Sequence, residues 1–173
     1  MTWLNNRKAL LWLVPILTTV HNVEEVLFMP FVIEKRNSSV PTILSRLLPP
    51  ITYGQFLLAV FIMTAIPYLV AWFADMDRER SVGITLLICL QVMMLINVFA
   101  HISIALMMRG YAPGLITAVA IQLPYSIFML SRALRDGWLS RSVLVQLGFI
   151  GLLLNLLVLP GIVILSGRIV HRF

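Results

Sequence analysis

Charge is what this chain of 173 residues has least of: 12% of its residues are charged, and only seven are acidic. A soluble domain carries about 25%. That deficit, with 60% apolar residues and a mean hydropathy of +0.97, excludes a soluble globular domain. It also excludes disorder, which needs low hydrophobicity. The single cysteine, Cys89, sits in an apolar run and has no intrachain disulfide partner. Lysine occurs only at Lys8 and Lys35, in polar stretches, which argues against Schiff-base chemistry. There is no G-x-x-x-x-G-K and no G-x-G-x-x-G, so nothing points to nucleotides. The net charge of +6 does not point to nucleic acid either. The thirteen basic residues are spread over short polar segments and the termini, where membrane proteins keep them.

What the chain has in quantity is long apolar runs. Crossing a bilayer takes about 20 such residues, and five stretches qualify: 9–31, 51–74, 82–108, 111–131 and 143–166. Continuous runs without strict alternation select helices over a barrel. The expectation is an all-α integral membrane protein, a single-domain bundle of five transmembrane helices with short loops. Pro15, Pro67, Pro124 and Pro160 fall inside spans, as is ordinary in membrane helices. The first run follows Arg7 and Lys8, but it is too long for a cleaved signal and lacks an A-x-A-like site, so it reads as a retained span. Segment 41–50 reads as lying along the interface. Trp3, Trp72, Tyr111 and Trp138 read as interface anchors. Five spans put the termini on opposite sides. Seven of the thirteen Lys/Arg fall on the side of the N-terminus, which places it weakly in the cytoplasm.

Glu24 and Glu25 are the two acidic residues that lie inside a span, and His21 accompanies them. No Lys or Arg lies deep enough to pair with them. Intramembrane carboxylates are costly and usually functional, so protonation, a histidinium or a bound cation must offset them. At about 100° per residue, the three project from one helix face. In the third span Asn97 and His101 share a face at i and i+4, with Gln91 and Met94 close to it. Asn155 is the deep polar residue of the fifth span. With about 1.5 Å rise per residue, these groups and Gln55 fall in one layer, which predicts a single intramembrane polar site.

His21-Asn22-Val23-Glu24-Glu25 forms an H-x-x-E-E motif. With it the chain resembles the HXXEE-domain family of integral membrane proteins. The resemblance extends to an Asn and a His, here Asn97 and His101, and to the turn Tyr111-x-Pro113-Gly114 followed by Thr117-Ala118. It supplies site residues and no reaction.

Three chemistries fit. In the first, a divalent metal (zinc, iron or manganese) is bound by His21, Glu25 and His101. Glu24 is then a general base or a further ligand, and Asn97 and Asn155 orient substrate or water. The order H-x-x-E-E is also similar to the inverted zinc-protease motif H-x-x-E-H, with Glu25 in place of the second His. In the second, without metal, Glu24 and Glu25 share a proton and act as acid and base in an isomerase or cyclase of a hydrophobic substrate. In the third the site is non-enzymatic, a ligand pocket or a proton or ion path. A plainer alternative is that the polar residues only bond helices to one another. The expectation carried forward is a membrane-embedded, metal-assisted enzyme whose partner is a lipid-like or apolar small molecule.

Overall fold

The computed structural model describes residues 7–34, 51–76 and 81–170. Among them every regular element is helical. Helix α1 is Arg7–Phe28, extended by a 3₁₀ turn, Met29–Phe31. Helix α2 is Tyr53–Met76, α3 is Ser81–Met108 and α5 is Arg141–Val170. Helix α4 is composite: Leu115–Thr117, a π turn at Ala118–Gln122, then Leu123–Arg135. All five are long and apolar enough to cross a membrane. Large apolar side chains such as Phe61, Leu69, Trp72 and Leu157 cover their outer faces. A helix that is apolar all round needs an apolar surrounding.

Helix α3 is the centre of the bundle and touches the other four. The core is built on it: Ile84, Leu87, Ile88 and Val92 pack against Val14 of α1, Ala71 and Ala74 of α2, and Met129 of α4. Small residues set the closest approach. A Cβ added at Gly83 would run into the backbone of Ala74, the kind of close packing that holds helices together in lipid.

The helix limits depart from the expected spans by up to four residues, and one departure is informative. The fourth helix begins at Leu115, not at 111. Pro113 disfavours helical backbone at Ala112, and Gly114 takes φ +84, a left-handed conformation that glycine adopts without penalty. Residues 109–114 therefore form a turn that tucks against α1. The π turn was not expected from the sequence. It ends just before Pro124, whose ring would clash with the carbonyl of residue 120 in a regular α-helix; the wider turn relieves that. Segment 41–50, Trp3 and His171 lie outside the described residues.

Candidate functional site

His21 and Glu25 are one turn apart on α1, and Asn97 and His101 are one turn apart on α3. Where the helices meet, these faces oppose each other. Glu25 Oε1 lies 3.3 Å from His101 Nε2 and 3.9 Å from His21 Nε2. The two imidazoles meet edge to face, with centroids 4.8 Å apart. The ligand atoms of His21, Glu25 and His101 all fall within 4.8 Å of one another. With metal–ligand bonds of about 2.0–2.1 Å, tetrahedral ligands stand about 3.3 Å apart. The donor set and its spacing thus fit a divalent ion. Both histidines are buried, at 1% and 6% exposure.

The ring nitrogens have assigned roles. Thr117 donates its hydroxyl hydrogen to the Gly114 carbonyl at 3.3 Å, so its oxygen is free to accept from His21 Nδ1 at 3.0 Å. A proton on Nδ1 with a lone pair on Nε2 satisfies this contact. Asn97 Nδ2 lies 3.3 Å from His21 Nε2 and 3.1 Å from His101 Nε2. His101 Nδ1 is buried and has no hydrogen-bond partner among the described residues.

Glu24 stands apart. One carboxylate oxygen accepts the Tyr111 hydroxyl and the Ile116 N–H at 3.1 Å; the other accepts the Thr117 N–H at 2.7 Å. The two N–H groups are orphan donors of the first turn of α4. An N-cap side chain normally serves them, but the N-cap here is Gly114, which has none. Glu24 caps the helix from across the bundle, where its charge also suits the helix dipole. Both its oxygens are engaged, and it is not in the His/Glu group. The two adjacent carboxylates face different partners and do not share a proton across a common site. Burial and the bond to Glu24 push the Tyr111 phenol up, so it remains a donor at any ordinary pH. Its ring packs edge-on against Phe28, 5.3 Å between centroids.

Gly114 completes the enclosure. A Cβ there would sit 2.8 Å from His21 Cε1, 2.9 Å from Glu25 Cγ and 2.9 Å from His101 Cε1. Backbone that close to all three ligands admits only glycine. Tyr111, Gly114 and Thr117 were not singled out by chemistry in the sequence. Their signal was the Tyr-x-Pro-Gly turn and the threonine after it, but not what either would touch.

On the other side of Glu25 and Asn97 lies a cavity of about 180 Å³. Its walls come from α1, α2, α3 and α5 and are mainly apolar, with Phe56, Met63, Ile66, Met93 and Ile162 among them. Asn155 lines it, donating to the carbonyls of Met93 and Gly151 at 3.2 and 2.9 Å. It shares the cavity with Glu25 and Asn97 but not the His/Glu contacts. Gln55 goes elsewhere, tying α2 to α5 by donating to Val163 O at 2.6 Å. Gln91 donates to Ser126 at 2.6 Å, joining α3 to α4. The expected single layer thus resolves into one cluster, one cavity and two interhelical ties.

Residues 12–129 match the profile of a family described as proteins of unknown function with an HXXEE motif. The match includes His21, Glu24, Glu25, Asn97, His101 and Thr117 and stops short of Asn155. An uncharacterized Bacillus subtilis (strain 168) protein, YrkK, is 31% identical over 107 residues. That similarity takes in 61% of this chain and 63% of YrkK, less than two thirds of the relative's length. No solved structure matches the chain.

Proposed function

The chain belongs to the HXXEE family, and we propose that it is a membrane-embedded, metal-assisted enzyme acting on an apolar small molecule. One observation carries this: three ligand atoms, from His21, Glu25 and His101, converge, and one of them, that of Glu25, belongs to a residue that lines an apolar cavity. In this reading the five helices cross the bilayer as a bundle, with the N-terminus on the cytoplasmic side. His21, Glu25 and His101 hold a zinc, iron or manganese ion. Such an ion polarises an oxygen presented to it and needs open coordination positions for that. Glu25 belongs both to the cluster and to the cavity wall, and Asn97 lies on that wall beside both imidazoles, so an ion held by the cluster would be within reach of what the cavity holds.

The chain's own residues do the remaining work. Thr117 sets the tautomer of His21. Asn97, released from the imidazoles by the ion, orients the substrate's polar end, and Asn155 assists from across the cavity. The apolar walls exclude water, which strengthens every electrostatic contact inside. Glu24 holds the first turn of α4, which carries Gly114 and Thr117 to the cluster.

Metal content of the purified protein, measured by elemental mass spectrometry beside His21→Ala and Glu25→Ala, tests this reading. The expected result is one equivalent of a transition metal, lost in both variants while Glu24→Gln keeps it. Folded wild type with no metal, after growth with metals supplied and purification without chelators, overturns it. The contact of Glu25 with His101 at 3.3 Å favours, in that event, a metal-free acid–base pair.

A further inference from the structure

The polar atoms on the cavity wall have an unbalanced hydrogen-bonding account. Asn155 spends its amide N–H groups on two carbonyls, Met93 O and Gly151 O. Carbonyls only accept, so the orientation of that amide is fixed and Oδ1 is left over. Asn22 donates to Thr64 Oγ1 at 2.7 Å, and Thr64 has already given its hydrogen to Val60 O at 2.8 Å. The Asn22 amide is therefore fixed in the same sense, with its oxygen left over. Asn97 turns its nitrogen to the two imidazole Nε2 atoms, which again leaves the oxygen. The Thr18 hydroxyl is spent on Val14 O. Among the described residues no donor reaches the three amide oxygens. Thr18, Asn22, Asn97 and Asn155, with Glu25, line one cavity.

A wall that offers acceptors and has few donors left selects a ligand that donates. No Lys or Arg lines the cavity, so a carboxylate or phosphate head finds no counter-charge there. Glu25 is the one charged group on the wall, and in the metal reading its charge is taken by the ion, which leaves no counter-charge for a cationic head. We infer that the cavity is the binding site of an uncharged apolar alcohol, whose hydroxyl donates its one hydrogen to a side-chain oxygen among Asn22, Asn97 and Asn155. The inference deepens the proposed function and rests on it for what the site does with the alcohol. The volume of about 180 Å³ compares with an apolar cavity of about 150 Å³ that holds benzene. The hydroxyl end and the first few carbons fit inside. The remainder of a longer chain lies along the apolar outer faces of the helices.

The test uses tritiated decan-1-ol bound to the full-length protein in nanodiscs, scored against empty nanodiscs. Unlabelled decan-1-ol, 1-methoxydecane and decanoic acid compete. The ether keeps the oxygen but has no hydrogen to give, and the acid adds charge. Saturable binding is expected, with the ether and the acid at least about tenfold weaker than the alcohol, because a site built around a hydroxyl rejects analogues that lack it. Asn155→Leu and Asn22→Leu each narrow the alcohol-to-ether ratio. No saturable binding overturns the inference, as does an ether or acid that competes as well as the alcohol. So do two folded variants that both keep the wild-type ratio. The wild-type competition series needs no variant to fold. Run on metal-loaded and chelator-treated protein, it separates this inference from the metal reading. An alcohol preference in protein that takes up no metal leaves the inference standing and removes the metal centre. Metal uptake without the preference does the reverse.

Discussion

Glu24 and Glu25 are neighbours in sequence and opposites in setting. Glu24 has three donors from the 109–117 segment on its two oxygens and no further work to do. Glu25 has two imidazoles within 4 Å and a cavity beside it. One carboxylate is consumed by the fold and the other is held ready. A helix separates adjacent side chains by about 100°, enough to send them to different neighbours. The motif therefore contains a structural half and a chemical half, and the two should respond differently to substitution.

Gly114 belongs to both halves, so its loss should be felt most. Gly114→Ala puts a methyl group against His21, Glu25 and His101 on a backbone with φ +84. Left-handed strain of about 1–2 kcal/mol and overpacking of about 1–3 kcal/mol should together lower the unfolding midpoint in detergent by many degrees and abolish metal uptake. Retention of both would show that the turn does not shape the cluster.

Next comes the exchange of the two glutamates. Glu24→Gln removes the charge from a carboxylate with three donors and should cost about 1–3 kcal/mol, with metal content intact. Glu25→Gln should lose the metal and change the apo-protein's stability by less. Thermal unfolding with and without zinc reads both effects. Identical profiles for the two variants would erase the division between them.

Thr117→Val has a smaller effect and falls on one side only. Its backbone N–H still serves Glu24, but His21 Nδ1 loses its acceptor. Metal affinity should fall about 10–100-fold with stability little changed. An unaltered affinity would leave His21 oriented by packing alone.

The smallest effect lies outside both halves. The Arg132 guanidinium, 2.8 Å from Asp136, holds that carboxyl below its usual range. Its folded-state pKa is depressed, so the stability it lends is present above the unfolded value and fades as pH falls through the folded one. Asp136→Asn should flatten only that acid limb of the stability profile and leave metal binding untouched.

The bundle is legible because about 20 apolar residues in a row leave the backbone few choices. The i, i+4 spacing is enough to place His21 with Glu25, and Asn97 with His101. That the two pairs oppose each other depends on how α1 leans on α3, a packing property of core residues such as Val14 and Leu87. The task of Glu24 is invisible to spacing, because its partners are backbone N–H groups, which carry no side-chain signature. Tyr111 reads as an interface anchor from its position near a span end, yet its hydroxyl is given to Glu24.

The π turn in α4 has a consequence for phase. Thr117 reaches α1 at His21, and Tyr125 reaches α1 again at the Leu10 carbonyl. Eight residues of regular helix would swing these two side chains roughly 80° apart. The wide turn between them takes up most of that angle, so one helix addresses the same neighbour at two levels. It works like a vernier: the lower level is set by packing near Leu10, and the upper level is brought into line with the histidine. Straightening 118–122 into ordinary helix with every residue kept would turn Thr117 away from His21; removing one residue as well would leave Thr117 and Tyr125 seven apart, about 20° from a shared face.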